Sequence, residues 1–398
     1  MIGWDEILEG GLSPEATVMS WRGEKGGIAA AMMNHEVIMT PVSGGVYLDH
    51  YQGDPLVEQF AWGGYAPISK TYAYDPVPDT LTAMGKEKYV LGVQGNAWSE
   101  CMYTEAKVEY QVYPRILAVA EVGWSLPENK NFEDFSRRLN RAAVCMDLHQ
   151  VNYHIPLPEQ PGGSFSHIAF TDTTQLIFKT TRPVEMVYTT DGTEPDLSSP
   201  HYAEPLHFNT SGLLKIRSIL PSGKMSRVRS IELEKQQMAV PFTGDIPQRE
   251  GLSLKIADAK CLSVSELSDL KTWKDSTLTD LKAIAHLRPN FYSNVVYYAA
   301  IAQGFVQIPE DGIYQFKSDN TRVWINGAIA ADNDGKPQVN SRYDRSMALH
   351  RGWYPIKVEQ ISNFIGGWNS QHRNTGNVYF KKSDKKEWER ITPELIRY

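Results

Sequence analysis

The chain has 398 residues, with 47 acidic and 40 basic side chains giving a net charge of −7. At roughly 150 residues per domain this predicts two to three folded domains, and the charge argues against nucleic acid or an anionic membrane as main partner. Charged residues at 22% and apolar residues at 41% exclude a disordered chain. No apolar run nears the roughly 18 residues of a membrane-spanning helix. Cys101, Cys145 and Cys261 lie too far apart for a cysteine-based zinc site or a disulfide scaffold. The anomaly is aromatic: 10 Trp, 20 Tyr and 13 Phe, many of the Trp beside Gly, Asp or Glu. Sugar-binding surfaces have this composition, because a flat ring stacks on the C–H face of a pyranose.

Met1 to Trp4 reads as the end of a strand, with a helix starting at once at Asp5-Glu6. No basic stretch followed by an apolar one is visible as a signal peptide, and a strand at residue 1 is the pattern expected of the back part of a longer protein. Thr17 to Trp21 is strand-like and precedes the Ala-rich run Gly27 to Asn34. Glu36 to Thr40 and Gly45 to Asp49 also read as strands, followed by a long loop from Pro55 to Pro78. Tyr89 to Val93 is a further buried strand, and helical spacing runs unbroken from Val108 to Val122. Strand-then-helix repetition over residues 1–150 predicts a parallel α/β sheet. Pro156, Pro158, Pro161 and two glycines mark residues 151–165 as a linker. Residues 166–236 then carry short strands with turns at Asp191-Gly192, Ser211-Gly212 and Ser222-Gly223, a small β-sandwich pattern. Residues 237–398 are again β-rich, with strands at Phe305 to Ile308, Ile313 to Phe316 and Arg322 to Ile325.

In the first segment each predicted strand ends on aromatic or charged residues: Trp4 with Asp5, Trp21 with Arg22, Tyr47 with Asp49, Trp98 with Glu100. In a parallel α/β barrel such ends form the active-site mouth. One Trp at a strand end is ordinary packing; four such ends in register predict a binding site.

These residues stand in motifs that resemble glycoside hydrolase family 20, the β-N-acetylhexosaminidases. The motifs are GWDEIL from Gly3, SWRG from Ser20, VYLDHYQG from Val46, NAWSE from Asn96 and EYQVYPRILAVAEVGWS from Glu109. The resemblance implies the last four strands, five to eight, of a (β/α)8 TIM barrel. It implies that Trp4, Trp21 and Trp98 wall a pocket for an N-acetyl sugar, with Trp98 stacking beneath the ring. Tyr47 is implied as the phenol that hydrogen-bonds the acetamido carbonyl. Asp49 and Glu100 are implied as acceptors for sugar hydroxyls, Glu100 at the 4- and 6-positions. In that family the substrate's acetamido oxygen attacks the anomeric carbon, an Asp orients the acetamide and the adjacent Glu acts as general acid. That Asp-Glu pair precedes the GWDE motif and is absent from these residues, as is the arginine of the first strand, whose place Arg22 does not take. Asp5-Glu6 matches a later strand and reads as helix capping or pocket wall.

Val187 to Pro195 with Ser199 to Tyr202 resembles the fibronectin-type-III-like domain behind bacterial hexosaminidases and chitobiases, read here as a spacer. Gly304 to about Phe380, with LHRGWYPIKVE from Leu349, resembles the β-sandwich named after anthrax protective antigen. Trp324, Trp353 and Trp368 read as core before sugar platforms. Asp332 to Gly335 lacks the spacing of a calcium loop, so no metal and no cofactor are expected. His149 and His154 read as surface or satisfied histidines, and Lys381 to Arg390 as a solvated face. The resemblance implies N-acetylhexosamine-containing glycans as partners, export in bacteria, and self-association through the open half-barrel, whose inward residues are expected at Val18, Ile38 and Val93. The alternative is a non-catalytic carbohydrate-binding or adhesion protein.

Overall fold

The computed structural model describes residues 1–61, 63–287, 290–291, 294–295, 297–334, 342–362, 364–365, 368–369 and 376–398. Strands β1 (Ile2–Trp4), β2 (Thr17–Ser20), β3 (Val37–Met39) and β4 (Val90–Val93) form one parallel sheet in chain order. Parallel neighbours require crossovers. Helix α1 (Lys25–Met32) joins β2 to β3, and α2 (Ile68–Ala73) and α3 (Asp79–Ala83) lie between β3 and β4. After β4 come α4 (Glu105–Val112), α5 (Arg115–Trp124) and α6 (Phe132–Leu148). The small residues of α1 let it lie close on the sheet: a Cβ at Gly27 would meet the Met39 side chain at 2.8 Å. Ala30, Ala31, Leu81, Val119 and Val122 thereby bury Val18, Val37 and Met39.

Strand register decides which residues face the helices. Gly3, Val18, Val37 and Val90 lie side by side, as do Trp4, Met19, Ile38 and Gly92. Val18 is therefore fully buried under helices, and Val93 packs against the same cluster. Of the three residues expected to face inward, only Ile38 lies on the opposite face. That face carries the half-buried Met19 and Ile38, and Ile2 and Leu91 stand 62% and 56% exposed.

Two further expectations are corrected. The helix from Val108 to Val122 is two helices, because Pro114 supplies no N–H and Tyr113 is extended. Gly45 to Asp49 is no strand: Gly45 adopts φ +74°, and only an isolated bridge joins Tyr47 to Asn96. The stretch after α6 is irregular but not loose. Tyr153, Ile155 and Leu157 are buried, and His154 Nε2 lies 2.8 Å from Glu58 Oε1 in the first segment. His154 is thus a satisfied core histidine, while His149 is exposed.

Strands β5 (His167–Phe170), β10 (Arg229–Lys235), β9 (Gly212–Ile219) and β7 (Glu185–Thr189) make a sheet opposed by β6 (Thr174–Leu176) paired with β8 (Leu206–Phe208). Leu214, Ile216, Ile231 and Leu233 pack there on Phe170, Leu176 and Phe178. Among the remaining described residues the two main sheets have seven and four strands, with Tyr354, Val358, Phe316 and Phe380 in their shared core. The two β regions are stitched by Ser346, whose hydroxyl accepts from the Ala169 N–H at 2.6 Å. The exposed run Ser383 to Glu387 is solvated, but Lys381 is buried and Trp388 half-buried, so the face expected over Lys381 to Arg390 is only partly one. Asp332 and Asp334 are held by Arg322 at 3.0 and 3.5 Å, and Gly335 lies outside the described residues. Trp324 and Trp353 are half-buried with Lys357 and Arg397 over their rings; the Trp368 side chain lies outside the description.

Candidate active site

All six residues named from the sequence converge. Trp4, Trp21, Tyr47, Asp49, Trp98 and Glu100 line one cavity of about 440 Å³, together with Glu6, Val42 and His50. Trp4 is delivered directly by β1, and Trp21 follows β2 by one residue. Tyr47 and Asp49 instead come from the irregular segment after β3, and Trp98 and Glu100 from the turn after β4. Backbone bonds extend the sheet into those segments: Thr40 N–H to Ser20 O, Val42 N–H to Trp21 O, Asn96 N–H to Val46 O. Asn96 is fixed by its amide donating to Thr40 Oγ1 at 2.6 Å.

The indoles form the wall. Trp4 and Trp98 lie with ring centroids 5.9 Å apart at 41°, and Trp98 presents an open face, 44% exposed. Trp21 Nε1 donates to both carboxylate oxygens of Glu6 at 3.0 Å. That bond lowers the Glu6 pKa and makes Glu6 a positioning group for the wall. Asp5 is buried and pairs with Arg22 Nε at 3.3 Å, and neither residue lines the cavity. Burial raises the Asp5 carboxyl, against the pull of Arg22.

The floor is polar and unpaired. Asp49 is 1% exposed, and among the described residues neither carboxylate oxygen has a hydrogen-bond partner. Burial pushes its pKa up to about 6, opposed by its own backbone and Arg115 and reinforced by Glu100. The buried Tyr47 hydroxyl also lacks a hydrogen-bond partner among the described residues; burial raises its pKa, and Asn96 and Trp98 temper the shift. His50, whose ring sits 5.4 Å from that of Tyr47, is forced down to about 4 by burial and by Arg115 and Lys70. It is neutral at physiological pH.

A buried scaffold absent from the sequence reading holds this floor. Arg115, the first residue of α5, is fully buried and donates to the carbonyls of Tyr47, Leu48, Ala66 and Gln111. Gln111 Nε2 donates to Asp49 O at 3.2 Å. The sequence reading does not single out Val42, His50, Gln111 or Arg115; the signal for Arg115 is the one cation in a helix whose other charged residue is Glu121, RILAVAEVGW. Elsewhere, among the described residues, His167, Glu232 and Glu234 offer donor atoms within 4.8 Å of one another. His167 Nε2 is already bonded to Glu234 at 2.8 Å and Glu232 to Arg345 at 3.2 Å, which makes them an ion-pair cluster of the β regions.

Aromatic walls, a buried carboxylate and a phenol thus stand together at and just beyond the ends of the parallel strands, groups suited to the apolar face and the hydroxyls of a sugar. Residues 1–127 match the model of glycosyl hydrolase family 20, catalytic domain. Residues 163–230 match the chitobiase/beta-hexosaminidase C-terminal domain and 268–389 the PA14 domain. The whole chain is similar, at 48% identity over 398 residues, to a beta-hexosaminidase of Porphyromonas gingivalis, covering 51% of that protein. A beta-N-acetylhexosaminidase of Cellulomonas fimi is 31% identical over 43% of this chain and 35% of its own length. A solved GH20 exo beta-N-acetylglucosaminidase of Vibrio harveyi with N-acetylglucosamine overlaps 39% of this chain and 24% of that one, at 26% identity and a TM-score of 0.35. The chain spans about half or less of the length of these relatives. No helix among the described residues is long and apolar enough to cross a membrane.

The unpaired floor carries a cost that a variant reveals. Above pH 6 the folded chain keeps Asp49 ionised in a site that disfavours the charge, on the order of 3 kcal/mol relative to the unfolded chain. Asp49→Asn is expected to raise unfolding free energy at pH 7.5 by about 1–3 kcal/mol. The sign follows from a folded pKa above the unfolded one: the penalty is full above about 6 and gone below the unfolded value near 4. Urea unfolding at pH 7.5 and 3.5 checks this, and a loss of stability at pH 7.5 would contradict it.

Proposed function

We propose that the pocket holds a terminal β-linked N-acetylhexosamine, GlcNAc or GalNAc, of a glycan, and belongs to an exo-acting β-N-acetylhexosaminidase. The observation that carries the reading is the pair of orphaned acceptors and donors on the floor, Asp49 and the Tyr47 hydroxyl, enclosed by three indoles. Leaving such groups unpaired is costly, and a polyol with an amide supplies what both lack. In this reading Trp98 is the stacking floor, and Trp4 and Trp21 exclude water around the acetamido methyl. Tyr47 donates to the acetamido oxygen as it becomes the nucleophile. Asp49 and Glu100 accept from sugar hydroxyls in charge-assisted bonds, Glu100 at the 4- and 6-positions.

The four parallel strands are, on this reading, strands five to eight of a (β/α)8 barrel, with export as the companion expectation. Attack by the acetamide needs a carboxylate to orient it and an acid to protonate the leaving oxygen. The family motif for that pair, H-x-G-x-D-E, does not occur in the 398 residues. Glu6 is committed to Trp21 and Asp5 to Arg22, so neither substitutes for it.

The 398-residue chain is therefore expected to bind N-acetylglucosamine but to release no chromophore from a chromogenic N-acetylglucosaminide. Turnover that vanishes in Glu6→Gln would overturn the assignment. In a complete enzyme Tyr47→Phe should lower kcat by about 10²-fold with little change in KM, as for loss of one donor to a developing charge. Trp98→Ala should damage both constants, and a Tyr47→Phe effect confined to KM would remove Tyr47 from its role. The uncovered sheet face with Ile2, Ile38 and Leu91 is expected to pair with a second copy or a separate upstream half. Light scattering at micromolar concentration checks this, and a stable monomer that binds no hydrophobic dye would contradict it.

A further inference from the structure

A second cavity, of about 380 Å³, lies where all three parts of the chain meet. Tyr51 and Tyr65 come from the first segment, Phe165 from the stretch before β5, and Lys317 and Trp388 from the last β region. Four aromatic rings thus line one space, and the segment carrying Tyr51 also carries His50 of the first pocket. The walls are fixed to one another: Asp54 accepts from the N–H groups of Leu56 and Ser164, and Lys381 Nζ donates to Gly162 O at 3.4 Å.

Two features of this cavity are unexplained by folding. The Tyr51 hydroxyl is buried, on a residue 1% exposed, and has no hydrogen-bond partner among the described residues. Two ammonium groups converge on one indole: Lys317 Nζ lies 4.7 Å and Lys381 Nζ 5.1 Å from the Trp388 ring centroid. Among the described residues Lys317 makes no ion pair within 4 Å. Burial depresses both amines, with Asp319 opposing it at Lys317 and the second cation reinforcing it at Lys381. The one carboxylate of the lining, Asp54, is turned to backbone N–H groups. Lys317, which lines the cavity, thus carries a partly buried charge beside a second cation, and an anion entering the cavity would offset it.

We propose that this cavity is a second carbohydrate site, taking a sugar residue that bears an anionic substituent, a carboxylate or a sulfate ester. The aromatic rings take the apolar face of the pyranose, Lys317 takes the anion, and the Tyr51 hydroxyl bonds a ring substituent. The site stands whether or not the first pocket supports hydrolysis.

The test is titration calorimetry on the full 398-residue chain carrying Trp98→Ala, which disables the first pocket. The probes are the methyl glycoside of N-acetylneuraminic acid, N-acetylglucosamine 6-sulfate and neutral methyl N-acetylglucosaminide. At least one anionic probe is expected to bind at least tenfold tighter than the neutral one, and more weakly as salt rises. Which of the two binds identifies carboxylate or sulfate. Lys317→Gln should weaken that binding about tenfold or more, the scale of one charged hydrogen bond, and Tyr51→Phe should weaken it several-fold with an unchanged thermal midpoint. Equal affinity for neutral and anionic probes, no binding of either anion, or full affinity in a folded Lys317→Gln chain would each overturn the proposal.

Discussion

The site depends on one buried guanidinium. Arg115 stands at the start of α5 with no exposed surface and gathers the carbonyls of Tyr47 and Leu48, within the Tyr47–Asp49 segment, and of Ala66. These bonds, with Gly45 at φ +74°, hold an irregular segment that leaves the sheet after one bridge to Asn96. The irregular backbone then points Tyr47, Asp49 and His50 into a single cavity. Burial depresses the arginine's pKa while Asp49 and Glu58 oppose the shift, so the charge that organises the loop also faces the carboxylate it supports. A short strand in its place would have sent alternate side chains to opposite faces.

The same residues show a trade between stability and binding. The Asp49 carboxylate and the Tyr47 hydroxyl are held inside the fold without hydrogen-bond partners among the described residues. A chain selected for stability alone would fill that space with an apolar side chain or a hydrogen-bonded amide. The wall is treated in the opposite way: Trp21 is fixed by both oxygens of Glu6, so its orientation is set before any ligand arrives.

The sequence disclosed the parallel sheet because apolar runs at Thr17 and Glu36 alternate with the Ala-rich helix, and that alternation has few other solutions. It disclosed the six pocket residues because each stands beside a predicted strand end. It did not disclose how they are held. The contacts of Arg115 and Gln111 reach across 49 to 68 residues of chain, and no local pattern encodes them. The break at Pro114 was visible in principle but was outweighed by strong helical spacing on both sides. Facing was misjudged at Val18 and Val93 because period-two alternation names two faces without saying which one the helices cover.

The irregular stretch between α6 and β5 gives the molecule a particular mechanical character. Besides the bond from His154 to Glu58, Glu159 accepts from the Asp54 N–H at 2.7 Å, and Arg229 of β10 donates to Pro158 O and Phe165 O. Each of these ties costs free energy to break, so the chain between the two parts is a brace and not a tether. For a flexible tether, the benefit of a second glycan contact scales with an effective concentration set by tether length. A brace replaces that distribution with one fixed spacing. Two sugars on the same glycan would be accepted together only when their separation matches it, so the rear β regions would act as a gauge of glycan geometry.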